Sequence, residues 1–371
     1  NSIDLFAIFL SKIKKYFHQM IRTPGSSNIF RRDQAAIRPR KAFMNRTNPV
    51  RSARTNRGYI YALVAAAVLA TTGILIRYLT LNFQLPSLIL AFWRDIIVAL
   101  TVALGILALR PALFRVERKH WGFLFLYGFC LAIFNSLWTL SVAINGAAIA
   151  TVLVYCSAAF TALLARWLLK ESLGWAKILA VVLCLSGCVL VAGAYDAAAW
   201  SANLLGILTG AFSGLMYAIY SLFGRTASQR GINDWTTLLY IFAVGSLFLF
   251  LFNTIPGGPL PESARSLKDL LWLGASWQGW TVLVLLAAGP TLAGFALYNR
   301  SLAELPSSVA NLIVTLEPAF TTVMAYFLFQ EIFTPIQWTG SLLIACGVIF
   351  LRVYDTIQET RAARATARPA G

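Results

Sequence analysis

The sequence predicts an all-α integral membrane protein whose ten transmembrane helices form two inverted five-helix repeats. Three observations lead to this prediction. Hydrophobic residues make up 58% of the 371 residues and charged residues only 12%, whereas about 25% of residues are charged in soluble proteins. The apolar residues fall into long runs with basic residues between them, and the C-terminal half repeats the N-terminal half. The mean hydropathy of +0.70 indicates that lipid is the solvent of most of the chain.

Residues 1–57 are predicted to be a basic N-terminal extension outside the repeats. Residues 3–21 carry apolar side chains at helical spacing with lysines between them, a pattern typical of a helix that lies on a membrane surface. The Arg-rich stretch that follows is expected to be disordered. Met44 begins a more ordinary start, so residues 1–43 are interpreted as a leader, a mistranslated upstream stretch or a cloning remnant.

Ten runs of roughly 20 residues follow, the length that crosses the hydrocarbon core of a bilayer. Because backbone polar groups cannot stay unpaired in lipid, each run must be a helix. Breaks fall at residues such as Pro86 and Gly146. The first repeat is expected at 58–194, the second at 203–353, and a basic cytoplasmic tail at 354–371. Spans one to ten are predicted at 58–80, 87–109, 121–142, 147–168, 174–194, 203–224, 234–255, 277–299, 307–329 and 335–353.

Basic residues set the predicted orientation, because cytoplasmic loops carry an excess of lysine and arginine. These residues fill every second connection and are nearly absent from the others. We therefore expect both termini in the cytoplasm and the 256–276 connection outside, in a bacterial inner membrane. The net charge of +17 lies in short clusters between apolar runs and in the tails, which favours anionic lipid headgroups over nucleic acid as the partner.

An internal repeat becomes visible when the sequence is shifted by 160 residues. Glu171 then meets Glu331, Trp138 meets Tyr298, and the Ala-Phe-Thr tripeptide at 159–161 meets its copy without a gap. Both glutamates stand near helix starts, where a carboxylate stabilises the helix end. Five spans per half is an odd number, so the second half must enter the membrane from the opposite side. Inverted repeats are an architecture of secondary transporters, which bind substrate near the midplane between the halves.

Several segments of these repeats resemble the EamA domain of the drug/metabolite transporter superfamily. They are Trp167–Glu171 at the end of span four, Leu316–Phe320 in span nine and Phe92–Arg94 in span two. The resemblance covers about 58–353 and implies ten helices around a central cavity. It also implies a secondary transporter of small organic metabolites such as amino acids, with export as the expected direction. An importer of the same fold is the alternative.

Ionisable residues inside the membrane are the first candidates for a substrate site. Arg94 lies about 10 Å below the outer surface and Glu317 about 15 Å above the inner one, at about 1.5 Å per residue. In a core of about 30 Å these depths are similar, which allows the two charges to meet across one cavity. The alternative for Arg94 is a structural role in a local polar network with Asp95. Asp95 is expected to point away from Arg94. Glu317 is also the group that would carry a coupling proton, and the alternative is that it repairs the helix around Pro318.

Four further residues complete the predicted substrate site: Asn135, Trp138, Tyr155 and Tyr298. A few polar groups in an apolar pocket suit amphipathic organic ligands, and ordinary packing is the alternative role for each residue. The five cysteines fall inside apolar runs with no histidine or acid nearby to complete a ligand set. Neither a metal nor a cofactor is therefore expected.

Other functional classes are disfavoured by what the sequence lacks. An ATP-driven pump would need a GxxxxGK[ST] loop and a soluble domain to hold it. A membrane-embedded enzyme would need clustered acids, a nucleophile and base, or histidine ligands at membrane depth, and none is visible. The residues argue less strongly against a channel or a receptor than against a pump or an enzyme. The inverted repeat, however, favours a transporter that works by alternating access.

Overall fold

The computed structural model describes residues 49–196, 204–255, 260, 262–329 and 334–367. These residues form helices and their connections without a strand among them, which confirms the predicted all-α class. The predicted surface helix within 3–21, the Arg-rich stretch and Glu331 lie outside the described residues. The main helices are Pro49–Phe83, Ser87–Leu109, Arg118–Tyr155, Ser157–Leu164, Trp175–Val191, Leu204–Gln229, Asp234–Asn253, Trp277–Leu286, Leu292–Glu304, Ser307–Val314, Glu317–Phe329 and Pro335–Ala367.

In the described part of the chain, four short helical segments connect or extend the main helices. Two are 3-10 helices, Pro111–Phe114 and Leu267–Leu271, and the second lies within the connection that is predicted to be outside. Two are π-helical turns, Ala165–Leu169 and Ala287–Thr291, which continue spans four and eight. The second π-turn holds Pro290 and joins the two pieces of span eight.

Within the described part of the chain, eight helical stretches are long and apolar enough to cross a membrane. Trp175–Val191 is an apolar helix of 17 residues and corresponds to span five. Ser307–Val314 and Glu317–Phe329 are the two pieces of span nine. The described helices therefore agree with ten crossings.

Two helices extend past the apolar runs that predicted them. The first begins at Pro49 and the last ends at Ala367, whereas the runs begin at 58 and end at 353. A helix satisfies its own backbone, so it continues into water wherever good helix formers such as alanine, arginine and glutamine follow. Apolarity marks only the part of each helix that lies in lipid. Much of the predicted basic tail is thus a continuation of span ten.

Span three and the start of span four both lie within the helical stretch Arg118–Tyr155, so the chain must reverse its direction inside that stretch. Ser141 Oγ lies 2.7 Å and Leu153 Cβ 2.8 Å from the position that a Cβ on Gly210 would take, so the two atoms are less than about 6 Å apart. Twelve residues of straight helix would separate them by about 18 Å. The chain therefore turns back between 141 and 153, around the predicted break at Gly146.

Spans four and nine both break near their middles, at positions 160 residues apart. Cys156 N donates to Leu153 O at 3.3 Å in span four, and Leu316 N donates to Ile313 O at 3.1 Å in span nine. Pro318 follows the second break, but alanine stands at the matching position of the first. Proline alone therefore does not cause the break. Interrupted helices at membrane depth occur where the chain lines a cavity.

The packing of the spans has two-fold pseudo-symmetry. Span three packs on span six and span eight on span one, which is the same contact with the halves exchanged. Spans two and seven, four and nine, and five and ten form the remaining pairs between halves. This arrangement agrees with the predicted inverted repeats.

Spans five and ten meet through glycines. A Cβ on Gly187 would lie 2.6 Å from the carbonyl oxygen of Gly340, and a Cβ on Gly347 would lie 3.1 Å from that of Ala180. Gly187 and Ala180 are the residues that match Gly347 and Gly340 at the 160-residue offset. The same close backbone contact therefore occurs at two equivalent places in this interface, and only small residues fit at either place.

Candidate functional site

A cavity of about 90 Å³ lies between the two halves. Five of the six predicted site residues line it: Arg94, Asn135, Trp138, Tyr155 and Glu317. The rest of the lining is apolar or aromatic, apart from one threonine: Leu69, Thr72, Ile76, Phe134, Val154, Tyr217 and Phe295. Seven spans contribute, from both repeats. The cavity has the composition of a small-molecule site, with a few polar groups in an apolar wall.

Arg94 belongs to a buried polar network on one side of the cavity. Its Nε lies 3.3 Å from Asp95 Oδ1, and the Asn135 amide donates to Asp95 Oδ2 at 2.8 Å. The expectation that Asp95 points away from Arg94 is wrong, because the long arginine side chain folds back along the helix to reach its neighbour. Span seven leaves room for the carboxylate at Gly245, where a Cβ would lie 3.4 Å from Asp95 Oδ2.

Glu317 lies on the opposite repeat, in the first turn after the break in span nine. The Tyr155 hydroxyl interacts with its carboxyl, which links the two broken spans. A helix start favours a negative charge, so this position lowers the cost of a carboxylate at membrane depth. Backbone hydrogen bonds close the break, with Leu316 N donating to Ile313 O and Phe320 N to Leu316 O. A structural role around Pro318 therefore stays the alternative to a role in binding.

Tyr298 does not line the cavity, although the sequence places it with the site. It is buried, shares a hydrogen bond of 2.6 Å with Ser221 Oγ, and accepts one from Asn311 Nδ2 at 3.2 Å. Its ring stacks on Tyr217, which does line the cavity, with centroids 5.7 Å apart. Tyr298 thus lies directly behind the cavity wall.

Tyr298 is one member of a buried hydrogen-bonded layer that joins the two repeats. Tyr127 Oη donates to Asn299 Oδ1 at 3.2 Å, and Ser157 Oγ donates to Asn311 Oδ1 at 3.1 Å. We call this group the tyrosine–asparagine layer. Its members are Tyr127, Ser157, Tyr220, Ser221, Tyr298, Asn299 and Asn311.

The tyrosine–asparagine layer lies on one side of the cavity. On span three Tyr127 precedes the cavity residues, and on span nine Asn311 precedes Glu317. On spans six and eight, which run in the opposite direction, Tyr220 and Tyr298 follow the cavity residues. All four spans therefore place the layer toward the predicted cytoplasmic face. The cavity lies between the layer and the predicted outer face.

The repeats match a known family along most of their length. The EamA-like transporter family matches residues 56–193 and again 204–353. The chain belongs to the EamA-like transporter family. Its general function is therefore transport across a membrane, and the predicted kinship with the drug/metabolite transporters is confirmed.

Relatives of this EamA-like transporter carry the same general description. The uncharacterized transporter YwfM of Bacillus subtilis is 24% identical over 307 residues, which cover 81% of this chain and 95% of the relative. The uncharacterized transporter sll1319 of Synechocystis is 28% identical over 236 residues, covering 63% of this chain and 67% of the relative. A solved crystal structure shares the fold with a TM-score of 0.63 at 16% identity, over 82% of this chain and 98% of the other.

Sequence reasoning missed most of the layer, although one signal for it was present. At the 160-residue offset Trp138 meets Tyr298 and Ser157 meets Glu317. In each pair one residue lines the cavity and the other belongs to the layer.

The predicted helix-end role of Glu171 agrees with its contacts, because its carboxyl accepts from the backbone amides at the start of span nine. No group of three or more metal-ligating side chains occurs among the residues that the structure describes.

Proposed function

We propose that this EamA-like transporter exports small zwitterionic metabolites such as amino acids, by alternating access between its two inverted halves. The observation that carries the proposal is that Arg94 and Glu317, of opposite charge, line the same small cavity. A guanidinium binds a carboxylate through paired donors, and a carboxylate binds an ammonium group. Aromatic and aliphatic walls accept the apolar remainder of such a substrate. Export is proposed from the resemblance to the amino-acid exporters of the superfamily.

The remaining donors of Arg94 suit this role. Asp95 accepts from Nε and Nη2 on one edge of the guanidinium. An arginine carries five donors, so the other edge can bind a substrate carboxylate. The Asp95 contact also holds the guanidinium in place before substrate arrives, which reduces the entropy lost on binding.

Alternating access is supported by the different environments of equivalent residues. Trp138 lines the cavity while Tyr298, its counterpart in the inverted half, is buried in the tyrosine–asparagine layer. This asymmetry is expected if the molecule faces outward, with the layer as its closed cytoplasmic gate. In the inward-facing state the two residues should exchange environments. A polar layer suits a gate, because each of its hydrogen bonds contributes only about 0.5–1.5 kcal/mol net once water can replace it.

Glu317 is proposed as the site of proton coupling. A charged carboxyl inside the membrane is costly without a cationic partner. A substrate ammonium supplies that partner when it binds, and a proton supplies neutrality when the substrate has left. Because the Glu317 carboxyl binds either the substrate ammonium group or a proton, export of the substrate would be linked to entry of a proton.

Counterflow in proteoliposomes tests the proposed substrate class. The purified chain is reconstituted and each amino acid is compared with two matched analogues, one without the ammonium group and one without the carboxylate. We expect saturable exchange of the zwitterion, recovered chemically unchanged, and much weaker exchange of both analogues. Equal exchange of either analogue would contradict the pairing with Arg94 and Glu317. Chemical conversion would indicate an enzyme, and saturable binding without flux would indicate a receptor.

The direction of transport needs membranes of known sidedness. In inside-out vesicles with an acidic lumen, an exporter accumulates the labelled substrate. Accumulation confined to right-side-out vesicles would favour the importer instead. Vesicles without the protein control for passive leakage.

A further inference from the structure

Arg230 follows span six at the predicted cytoplasmic face, and two of its donor atoms have no acceptor among the residues that the structure describes. Its Nε and Nη2 atoms are buried and unpartnered. The guanidinium lies over the ring of Phe123, with Cζ 4.4 Å from the ring centroid. A buried donor that has lost water without gaining an acceptor is costly. An acceptor from outside the chain would remove that cost.

A second unpartnered group lies beside Arg230. His120, in the first turn of span three, is only 7% exposed, and its Nδ1 has no hydrogen-bond partner in the described part of the chain. Arg230 and Lys119 are among the charges that act on this imidazole. The nearby carboxylate, Glu117, is already bound by Lys119 at 2.5 Å. The cluster therefore has an excess of positive charge.

Two other arginines at the same predicted face, Arg225 and Arg300, have acceptors. Arg225 donates to two backbone carbonyls at the end of span eight. Arg300 is paired with the carboxylates of Asp234 and Glu304. Burial lowers the pKa of Arg230, and no carboxylate in the described part of the chain acts to raise it. Arg230 thus differs from Arg225 and Arg300, because no acceptor for its Nε and Nη2 occurs among the described residues.

We propose that Arg230 and His120 bind the phosphate of an anionic phospholipid at the cytoplasmic face. Nε and Nη2 form one edge of the guanidinium, and this forked edge matches two phosphate oxygens. The ring of Phe123 packs on one face of the Arg230 guanidinium and so fixes its plane. Basic pockets between transmembrane helices on this side of a membrane bind phosphate headgroups.

The surroundings favour a lipid over a free anion as the source of the phosphate. Arg230 and His120 stand at the ends of two spans that pack together, on the side that the basic residues predict to face the cytoplasm. Trp121 and Phe125, on the following turns of span three, are 52% and 50% exposed and face outward. Acyl chains can cover these rings while the phosphate meets the guanidinium.

Thermal unfolding of the full-length protein in neutral detergent tests the site. Phosphatidylglycerol, phosphatidylcholine and inorganic phosphate are added separately at equal ionic strength. We expect phosphatidylglycerol to raise the unfolding midpoint by about 2–4 °C or more, since a ligand of the folded state stabilises it. The rise should disappear in Arg230→Gln and persist in Arg115→Gln, which removes an exposed arginine from the same face.

Each result decides the proposal. A rise with inorganic phosphate that also disappears in Arg230→Gln would support the oxyanion site and assign its source to solution. A rise that survives Arg230→Gln, or no rise in the wild-type protein, would overturn the site. If Arg230→Gln fails to fold, Arg230→Lys keeps the charge but lacks the fork. Native mass spectrometry of that variant should then show about tenfold weaker retention of phosphatidylglycerol, and unchanged retention would contradict the proposal.

Discussion

Replacing Glu317 with glutamine removes a charge from the cavity and keeps the shape of the side chain. The amide retains an acceptor for the Tyr155 hydroxyl, so the contact between the two broken spans should survive. The lost interaction is the one with a substrate ammonium group. A hydrogen bond to a charged group contributes about 1.5–3 kcal/mol, which corresponds to about 10- to 150-fold in affinity.

The assay is the initial rate of transport against substrate concentration and pH, in liposomes of one composition. We expect the half-saturating concentration of a zwitterion to rise by about 10- to 150-fold in Glu317→Gln. The deaminated analogue should bind both proteins equally, because it lacks the group that Glu317 recognises. Transport should also lose its dependence on pH. Glu117→Gln, which neutralises an exposed carboxylate paired with Lys119, serves as the matched control.

Overlapping curves for wild type and Glu317→Gln would refute the functional role of Glu317 and return it to a structural one. A large fall in the thermal unfolding midpoint would have the same meaning, because the change would then act on the fold. The two outcomes separate a residue that contacts substrate from one that stabilises the break in span nine.

Three further predictions concern the gate, the packing and the topology. In a protein without its native cysteines, Trp138→Cys should react with an impermeant thiol reagent from outside while Tyr298→Cys stays protected; the reverse pattern would contradict the outward-facing state. Gly340→Val places a side chain within 2.7 Å of a backbone carbonyl, so it should destabilise the protein by about 1–3 kcal/mol; an unchanged unfolding midpoint would contradict the close contact. In intact cells Ser263→Cys should be labelled and Ser228→Cys should not, and the opposite result would reverse the orientation.

Transport itself was predictable from the residues, and the site was predictable in part. Depth along each span placed Arg94 and Glu317 near one level, because helical rise converts sequence position into height. Both residues do line the cavity. Rotation about the helix axis is harder to predict, since nearly every face of these spans is apolar. Asp95 illustrates this limit: a flexible arginine stem, and not the helix geometry, decided its partner.

The sequence by itself determined the helical class, the spans and the inverted repeat. Lipid excludes unpaired backbone groups, so apolar length alone specifies a crossing helix. Only the tertiary structure decided which member of each repeated pair faces the cavity. Trp138 and Tyr298 match in sequence, yet one lines the cavity and the other is buried in the layer. The two halves adopt different arrangements in a single conformation, and a pseudo-symmetric sequence carries no signal for which half is open.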